Sequence, residues 1–208
     1  MSNEQIMARL LSQESKINAE KMLSGILHQN ELDRLKIATE SISDSSLAIF
    51  DDASLSIEKI HNKCKMFNNL GLVIIDYFEL ISSASKESKK QYENRVQVSA
   101  EISRAMKIMA VELNVPVMCL AQLNRDVEYR NDHRPILNDL RERSSLSQDA
   151  DVVIGLYRDD YYDEKSETPD KVEVIFLKNR HGDKGTVSLG WIPESTTFYE
   201  LPGQRAWG

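Results

Sequence analysis

This sequence of 208 residues is poor in the features that mark several classes of protein. It has two cysteines, Cys64 and Cys119, which are too few for a disulfide framework and indicate a reducing compartment. No apolar run approaches the roughly 20 residues that a membrane-spanning helix needs, and Met1 opens no signal peptide. The sequence therefore predicts a cytoplasmic setting and no membrane partner.

An excess of positive charge is also missing. The chain carries 26 Lys and Arg against 33 Asp and Glu, which gives a net charge of −7. Such a chain has no overall attraction to nucleic acid, so any contact must come from a local basic patch. His61 and Cys64 have the spacing of a ligand pair, but no second pair accompanies them, so we expect no zinc site.

The most informative absence is a motif. The sequence contains no G-x-x-x-x-G-K-[ST], the loop that cradles phosphates in many nucleotide hydrolases. It does contain GLVIIDY at 71–77, in which four apolar residues end at Asp76. This pattern is typical of a buried parallel strand that delivers a carboxylate to the sheet edge where α/β proteins bind ligands. Asp76 is then either a Mg²⁺-associated carboxylate, as in a Walker B strand, or a residue that ends a strand.

Hydrophobic periodicity and caps predict alternating helices and strands. Ser2 and Gln5 fit a capping box that begins a helix. We expect helices at 2–11, 19–43 (one or two), 56–68, 93–114 and 139–148, and strands at 46–51, 71–77, 115–121, 152–157, 172–178, 186–192 and 198–201. Residues 82–92, 124–138 and 159–170 read as polar loops. The order predicts an α/β fold, a mostly parallel sheet flanked by helices with an antiparallel extension at its C-terminal end.

Gln122 follows the apolar strand at 115–121. An amide at a sheet edge can contact a γ-phosphate or hold a water, although a polar residue leaving a sheet needs no such role.

The segment 124–143 carries a local cluster of arginines at 125, 130, 134, 141 and 143. Guanidinium groups suit a phosphate backbone, but interleaved acids make a solvated mixed-charge loop an equally good interpretation. Tyr129 alone offers no stacking platform for bases.

Lys178 and Arg180 lie one residue apart where a strand enters a hairpin. Two cations there could reach phosphates bound by a neighbouring subunit, as a trans-acting arginine finger does. By composition alone a simple charged hairpin is the better interpretation.

The order of these segments resembles one family. VIIDY is followed by a helix with EISR, then by ELNVPVMCLAQLNR, RPILNDLRERSSLSQDADVV and LKNRHGDKGTV. This series resembles the RecA-like C-terminal domain of bacterial replicative (DnaB-type) DNA helicases, from Met1 to about Leu201. The family consists of ATP-driven, homo-hexameric enzymes that unwind duplex DNA by moving along single-stranded DNA.

The resemblance implies a role for each matching residue. Asp76 falls on the Walker B aspartate near Mg²⁺, and Gln122 on the glutamine that senses the γ-phosphate of ATP. Lys178 and Arg180 fall on the lysine and arginine finger that enter the adjacent subunit's site. The residues that the resemblance implies in binding single-stranded DNA are Arg125, Arg141, Glu142 and Arg143. Primase and a helicase loader are the implied protein partners.

Two departures from the family pattern bear on these roles. The channel loop typically reads LRESG, and here it reads LRERS, so Arg143 adds a charge where the family has none. In the family, Met1 would come just after the Walker A loop and a strand ending in the catalytic glutamate. We therefore expect a partial domain at 1–208, without the first strand and phosphate loop, whose sheet has an exposed edge and an uncovered apolar face.

Two other interpretations remain open. The chain would be a catalytically inactive fragment or truncated paralogue that binds DNA or complements a second chain carrying the phosphate loop. Alternatively it would be a different RecA-like ATPase, such as a recombinase or a clock-type protein, although the run at 139–151 argues against this.

Overall fold

The computed structural model describes residues 2–52, 55–81 and 93–202, and within them the side chains of residues 93–96 and 141–144 are left out. The helices are α1 (Asn3–Ser15), α2 (Ala19–Ser24), α3 (Gln29–Ser43), α4 (Ile57–Cys64), α5 (Glu93–Leu113) and α6 (Ser144–Asp149). The strands are β1 (Val73–Ile75), β2 (Val117–Cys119), β3 (Val152–Arg158), β4 (Lys171–Asn179), β5 (Gly185–Ile192) and β6 (Thr197–Glu200). The polar loop predicted at 82–92 lies outside the described residues.

The first helix begins as the sequence predicts. The Gln5 backbone N–H donates to Ser2 Oγ at 3.3 Å, and the Ser2 N–H donates to Gln5 Oε1 at 3.1 Å. These reciprocal bonds satisfy donors that a helix start leaves unpaired, and they confirm the capping box. The helix continues to Ser15, four residues beyond the predicted end.

The expected α/β character is confirmed, and so are parallel pairing before Asp76 and Gln122 and an antiparallel arrangement at the C-terminal end. Parallel pairing joins β1 to β2, with Val73 opposite Val117 and Ile75 opposite Cys119. The larger sheet is antiparallel and has the order β3-β4-β5-β6. The expected mostly parallel sheet is therefore not found among the described strands, since only β1 and β2 pair in parallel. The connections from β4 to β5 and from β5 to β6 are too short for a crossover helix.

The strand predicted at 46–51 is wrong. None of these residues is assigned to a strand, and Leu47 and Phe50 are about half exposed. A β-strand is stabilised by hydrogen bonds to a neighbouring strand, and no described strand pairs with this segment. An apolar run alone therefore did not determine the local structure.

The chain divides into two compact units, which are described separately. The first consists of Met1–Asp51, Arg158–Val174 and Val187–Gly208. Within it α1 packs on α3, Ile17 is buried, and Ser12 Oγ donates to the Ile17 carbonyl at 2.6 Å. Across β5 and β6 the rings of Trp191 and Phe198 lie 4.7 Å apart.

The second unit consists of Asp52–Tyr157 and Ile175–Thr186 and contains the larger core. The helix predicted at 93–114 is α5, and its apolar side chains face that core, where Ile102, Met106 and Met109 are buried. The core side chains come from α4, β1, the turn after β1 and α5, and they are Ile57, Cys64, Val73, Ile75, Phe78, Ile81, Ile102, Met106 and Met109. This packing fixes the position of β1, the strand that ends at Asp76.

The parallel strands are buried on one face only. On β1, Val73 and Ile75 are buried while Ile74 between them is 60% exposed. On β2, Met118 is 51% exposed. The predicted burial of the strand therefore holds for one face only, and the expected uncovered apolar face is present at Ile74 and Met118.

Candidate functional site

Two candidate residues lie at the same edge of the parallel strands. Asp76 comes directly after β1, and Gln122 comes three residues after the end of β2. The pairing continues past the strands, since the Leu120 N–H donates to the Ile75 carbonyl at 3.0 Å and the Phe78 N–H donates to the Leu120 carbonyl at 2.8 Å. Parallel strands present their carboxyl ends together, so Asp76 and Gln122 lie at the same edge, and both residues are exposed.

A second acid at this edge was not anticipated from the sequence. Glu79 lies in a short 3-10 turn at Phe78–Leu80, and its Oε1 accepts a hydrogen bond of 3.1 Å from the Gln122 backbone N–H. Its position three residues after Asp76 was the available signal. Glu79 thus connects the segment after β1 to the segment after β2.

The charges of the two acids at this edge also act on the thiol of Cys119. Burial raises the pKa of Cys119 to about 12, and the negative charges of Glu79 and Asp76 act in the same direction. A thiol with such a pKa is protonated at neutral pH and is a poor nucleophile. Cys119 is therefore a structural cysteine rather than a catalytic one.

The donor set at Asp76 fits one kind of metal site. In the described ranges no group of three or more His, Cys, Asp or Glu is placed to hold a metal ion. Mg²⁺ does not require such a cage, because it is usually held by one or two carboxylates together with water and substrate phosphates. Asp76 therefore fits Mg²⁺ that arrives with a nucleotide, and it does not form a metal site by itself.

Lys178 and Arg180 form a second group, built where β4 ends. Lys178 Nζ donates to the carbonyls of Ser147 and Gln148, at 2.8 and 2.9 Å. Arg180 Nη2 donates to the same Gln148 carbonyl at 2.8 Å. Both cations are thus bound to the last turn of α6, where carbonyl groups lack helical partners and the helix dipole is negative.

Their mutual repulsion affects the lysine. Burial, followed by the neighbouring charge of Arg180, holds the pKa of Lys178 below its usual value, while Asp151 acts in the opposite direction. Arg180 Nη1 donates to Asp151 Oδ1 at 3.0 Å. Asp151, which the sequence reasoning did not single out, therefore offsets the repulsion between the two cations.

The arginines at 125–143 do not behave alike. Arg125 is exposed at the start of a 3-10 turn at Arg125–Tyr129. Arg130 instead makes a bidentate pair with the buried Asp139, at 2.7 and 2.8 Å, and donates to the Arg134 carbonyl. Arg134 pairs with Asp132 at 3.2 Å and lies 4.4 Å over the ring of Tyr157. Arg130 and Arg134 are therefore structural here.

The other three candidates belong to the 3-10 segment Leu137–Arg143, which leads directly into α6. The side chains of Arg141, Glu142 and Arg143 lie outside those that the structure describes. Asp139 fixes the start of this segment, because its carboxylate also accepts the Ile136 N–H at 2.8 Å and its carbonyl accepts the Asn124 N–H at 2.9 Å. The backbone before Arg141 is thereby anchored.

The family described as "DnaB-like helicase C terminal domain" matches residues 1–200. The chain belongs to this family. Two relatives of this DnaB-like domain are the replicative DNA helicase DnaC of Bacillus subtilis, 41% identical, and DnaB of Geobacillus stearothermophilus, 42% identical. Each match extends over 204 residues, which is 97% of this chain but 44% of the relative. The chain therefore spans less than half the length of these relatives.

Solved structures agree with this assignment of the DnaB-like domain. One is a DnaB-like replicative helicase studied with its interactions with primase, with a TM-score of 0.90, 40% identity, and coverage of 97% of this chain and 48% of that one. A second solved structure, an isolated ATPase domain, also gives a TM-score of 0.90 with 40% identity, over 97% of this chain and 72% of that one. At this identity the likeness extends beyond the fold to the family.

No helix in the described ranges of this DnaB-like domain is both long and apolar enough to span a membrane.

Proposed function

We propose that this chain is the C-terminal motor portion of an ATP-dependent replicative DNA helicase. The observation that carries the proposal is the joint placement of Asp76 and Gln122 beyond the carboxyl ends of two paired parallel strands, in a chain matched to this family over residues 1–200. In an intact enzyme, ATP would bind at this edge. The chain itself, at 1–208, would be a partial RecA-like domain.

Asp76 and Gln122 act on the nucleotide in this proposal. Asp76 holds Mg²⁺, directly or through water, and Mg²⁺ neutralises charge on the phosphates. Gln122 contacts the γ-phosphate through its side-chain amide. Because Gln122 is continuous with the segment that contains Asn124 and Arg125, a displacement of Gln122 is passed to that segment, and through the bond of its backbone N–H to Glu79 it also reaches the turn after β1.

Lys178 and Arg180 act in trans. Both side chains belong to one hairpin and are oriented together by α6, which favours a joint role. Placed against ATP on the neighbouring subunit of a homo-hexamer, they would stabilise the charge that develops at the γ-phosphate. This is why we assign them to catalysis rather than to a structural hairpin.

We propose that the motor binds single-stranded DNA and moves along it. Arg125 is exposed, and Arg141, Glu142 and Arg143 follow the backbone that Asp139 anchors. The cations neutralise DNA phosphates, with Arg143 contributing a charge at the position where the family loop has serine. Arg130 and Arg134 are left out of this role because Arg130 makes a bidentate pair with the buried Asp139 and the Arg134 guanidinium lies over the ring of Tyr157. We also propose primase and a helicase loader as partners of the whole protein.

The decisive test uses a hybrid protein, in which this chain replaces the 204 matching residues of the Geobacillus stearothermophilus relative. We expect the hybrid to hydrolyse ATP with stimulation by single-stranded DNA, and Asp76→Asn, Gln122→Ala and Arg180→Ala each to lower kcat, the last by roughly a thousandfold. Glu128→Gln, an exposed change in the same unit, is the control and should leave hydrolysis unchanged. An active hybrid that tolerates Arg180→Ala would contradict the assigned role.

The 208-residue chain alone should hydrolyse ATP negligibly, because its sequence contains no phosphate-cradling loop. Robust turnover by the purified, tag-free chain would overturn this expectation. The alternative function, an inactive module that binds DNA or complements a second chain, rests on the same absent motif. Restored hydrolysis on mixing with a separate polypeptide that carries the loop would favour complementation.

A further inference from the structure

Asp151 is the point at which three parts of the second unit meet. Its carboxylate accepts Arg180 Nη1 through Oδ1 and pairs with Lys107 Nζ of α5 through Oδ2. Its carbonyl also accepts the Arg180 backbone N–H at 2.9 Å. Asp151 thus holds both the side chain and the main chain of Arg180.

The lysine on α5 fixes the other side of this carboxylate. Hydrogen bonding by Lys107, with a further contribution from Arg180, holds the pKa of Asp151 below its usual value, so the group stays charged at neutral pH. Because α5 packs on α6, the carboxylate is supported by a long core helix rather than by a loop alone. A rigid support of this kind restricts the conformations that the Arg180 side chain can adopt.

We propose that Asp151 is a positioning residue that presents Arg180 to the phosphates of a nucleotide bound by a neighbouring copy of the chain. This inference rests on the function proposed above. Asp151 does not touch the nucleotide and acts chiefly through Arg180, to which it is hydrogen-bonded. Lys178 is positioned by the adjacent carbonyls of Ser147 and Gln148, so one short helix and the residues that follow it orient both cations.

The same helix begins where the segment Leu137–Arg143 ends. A shift of that segment on binding DNA is therefore transmitted to the carbonyls and the carboxylate that hold the two cations. Asp151 accordingly connects the DNA-contacting segment to the cation pair, and its loss should weaken the response of hydrolysis to DNA.

The test is carried out in the hybrid protein. Asp151→Asn should lower kcat at least about tenfold, less than Arg180→Ala does, with little change in KM for ATP. Asp151→Glu should recover part of the rate, because it restores the carboxylate. The double variant Asp151→Asn with Arg180→Ala should be no slower than Arg180→Ala alone, since residues that act through one group are not additive.

Asp149 provides a matched control on the same helix. Its Oδ2 accepts Ser103 Oγ at 2.6 Å, and no hydrogen bond joins it to Arg180 among the described contacts. Asp149→Asn should therefore leave the kcat of the hybrid near that of the unmodified protein. Equal losses for Asp149→Asn and Asp151→Asn, or losses that multiply in the double variant, would overturn the positioning role. If Arg180→Ala itself had no effect, the proposed function would fail instead.

A measurement on the 208-residue chain tests the geometry without any activity. Nuclear magnetic resonance of ¹⁵N-labelled arginine side chains should show a restricted guanidinium for Arg180 that becomes mobile in Asp151→Asn but not in Asp149→Asn. An Arg180 side chain equally ordered in all three proteins would overturn the inference, whether or not the hybrid is active.

Discussion

The carboxylate of Asp139 is the most buried charged group among the described side chains of the arginine-rich segment 124–143. Its side chain is 3% exposed, and it accepts two hydrogen bonds from Arg130. Asp139→Ala leaves that guanidinium without its partner and should lower the free energy of unfolding by about 3 kcal/mol, measured by urea denaturation. Asp132→Ala is the control, because the pair of Asp132 with Arg134 is exposed and should cost below about 0.5 kcal/mol. Equal losses would contradict an anchoring role for Asp139.

The pH dependence of stability follows from the same contacts. Burial alone would raise the pKa of Asp139, but hydrogen bonds from Arg130 and the Ile136 N–H outweigh it and hold the pKa below its usual value. A lowered pKa in the folded state contributes stability that is complete above the unfolded-state pKa, near pH 4, and is lost as the pH falls further. Asp139→Asn should therefore flatten the loss of stability between about pH 5 and pH 3 relative to the unmodified chain. An unchanged slope would contradict this.

Site residues that stand at a recognisable place in the sequence pattern could be predicted. Site residues that matter because of their neighbours in the folded chain could not. Asp76 and Gln122 each follow an apolar strand, so the strand pattern indicates them. Glu79 and Asp151 have no such pattern, because their importance comes from the N–H of Gln122 and the guanidinium of Arg180, both distant in sequence. The roles of all the candidate site residues stay predictions until they are tested.

At the scale of elements, α5 is the clearest success of the sequence pattern, and it supports a direct test. Met109 lies on its buried stripe and is 1% exposed, whereas Val111 on the other face is 69% exposed. Met109→Ala should cost about 3 kcal/mol of unfolding free energy by chemical denaturation, and Val111→Ala below about 0.5 kcal/mol. Similar values for both would mean that α5 does not pack as described.

Helices were more predictable than strands for a physical reason. A helix satisfies its own hydrogen bonds, so caps such as Ser2 and Asn18 and an apolar stripe determine its position locally. A strand depends on a neighbour. The apolar run at 46–51 has no described strand partner, and β1 is shorter than its apolar run because pairing with β2 extends over three residues.

At the scale of the whole molecule, exposed apolar side chains on the parallel strands favour association. Ile74 and Met118 are 60% and 51% exposed and lie opposite each other in the register. We expect the mass measured by light scattering to rise with protein concentration, because contact between such surfaces removes apolar area from water. Replacing both residues by threonine should reduce this rise.

The control for this expectation is Ile26→Thr, which alters a still more exposed apolar residue, 76% exposed, in the other unit. It should leave the association unchanged. A monodisperse monomer at high concentration would show that the exposed face of the parallel strands does not drive self-contact.

The hydrogen bonds of Arg180 limit which residues can replace it. A guanidinium group carries five N–H donors, and Arg180 uses one on Nη1 for Asp151 and one on Nη2 for Gln148, so it has further donors with which to bind an anion. An ammonium group carries three donors on one atom. Lysine in place of Arg180 would therefore keep both hydrogen bonds only by leaving a single donor for an anion, and the bidentate contact that a guanidinium group can make would be lost.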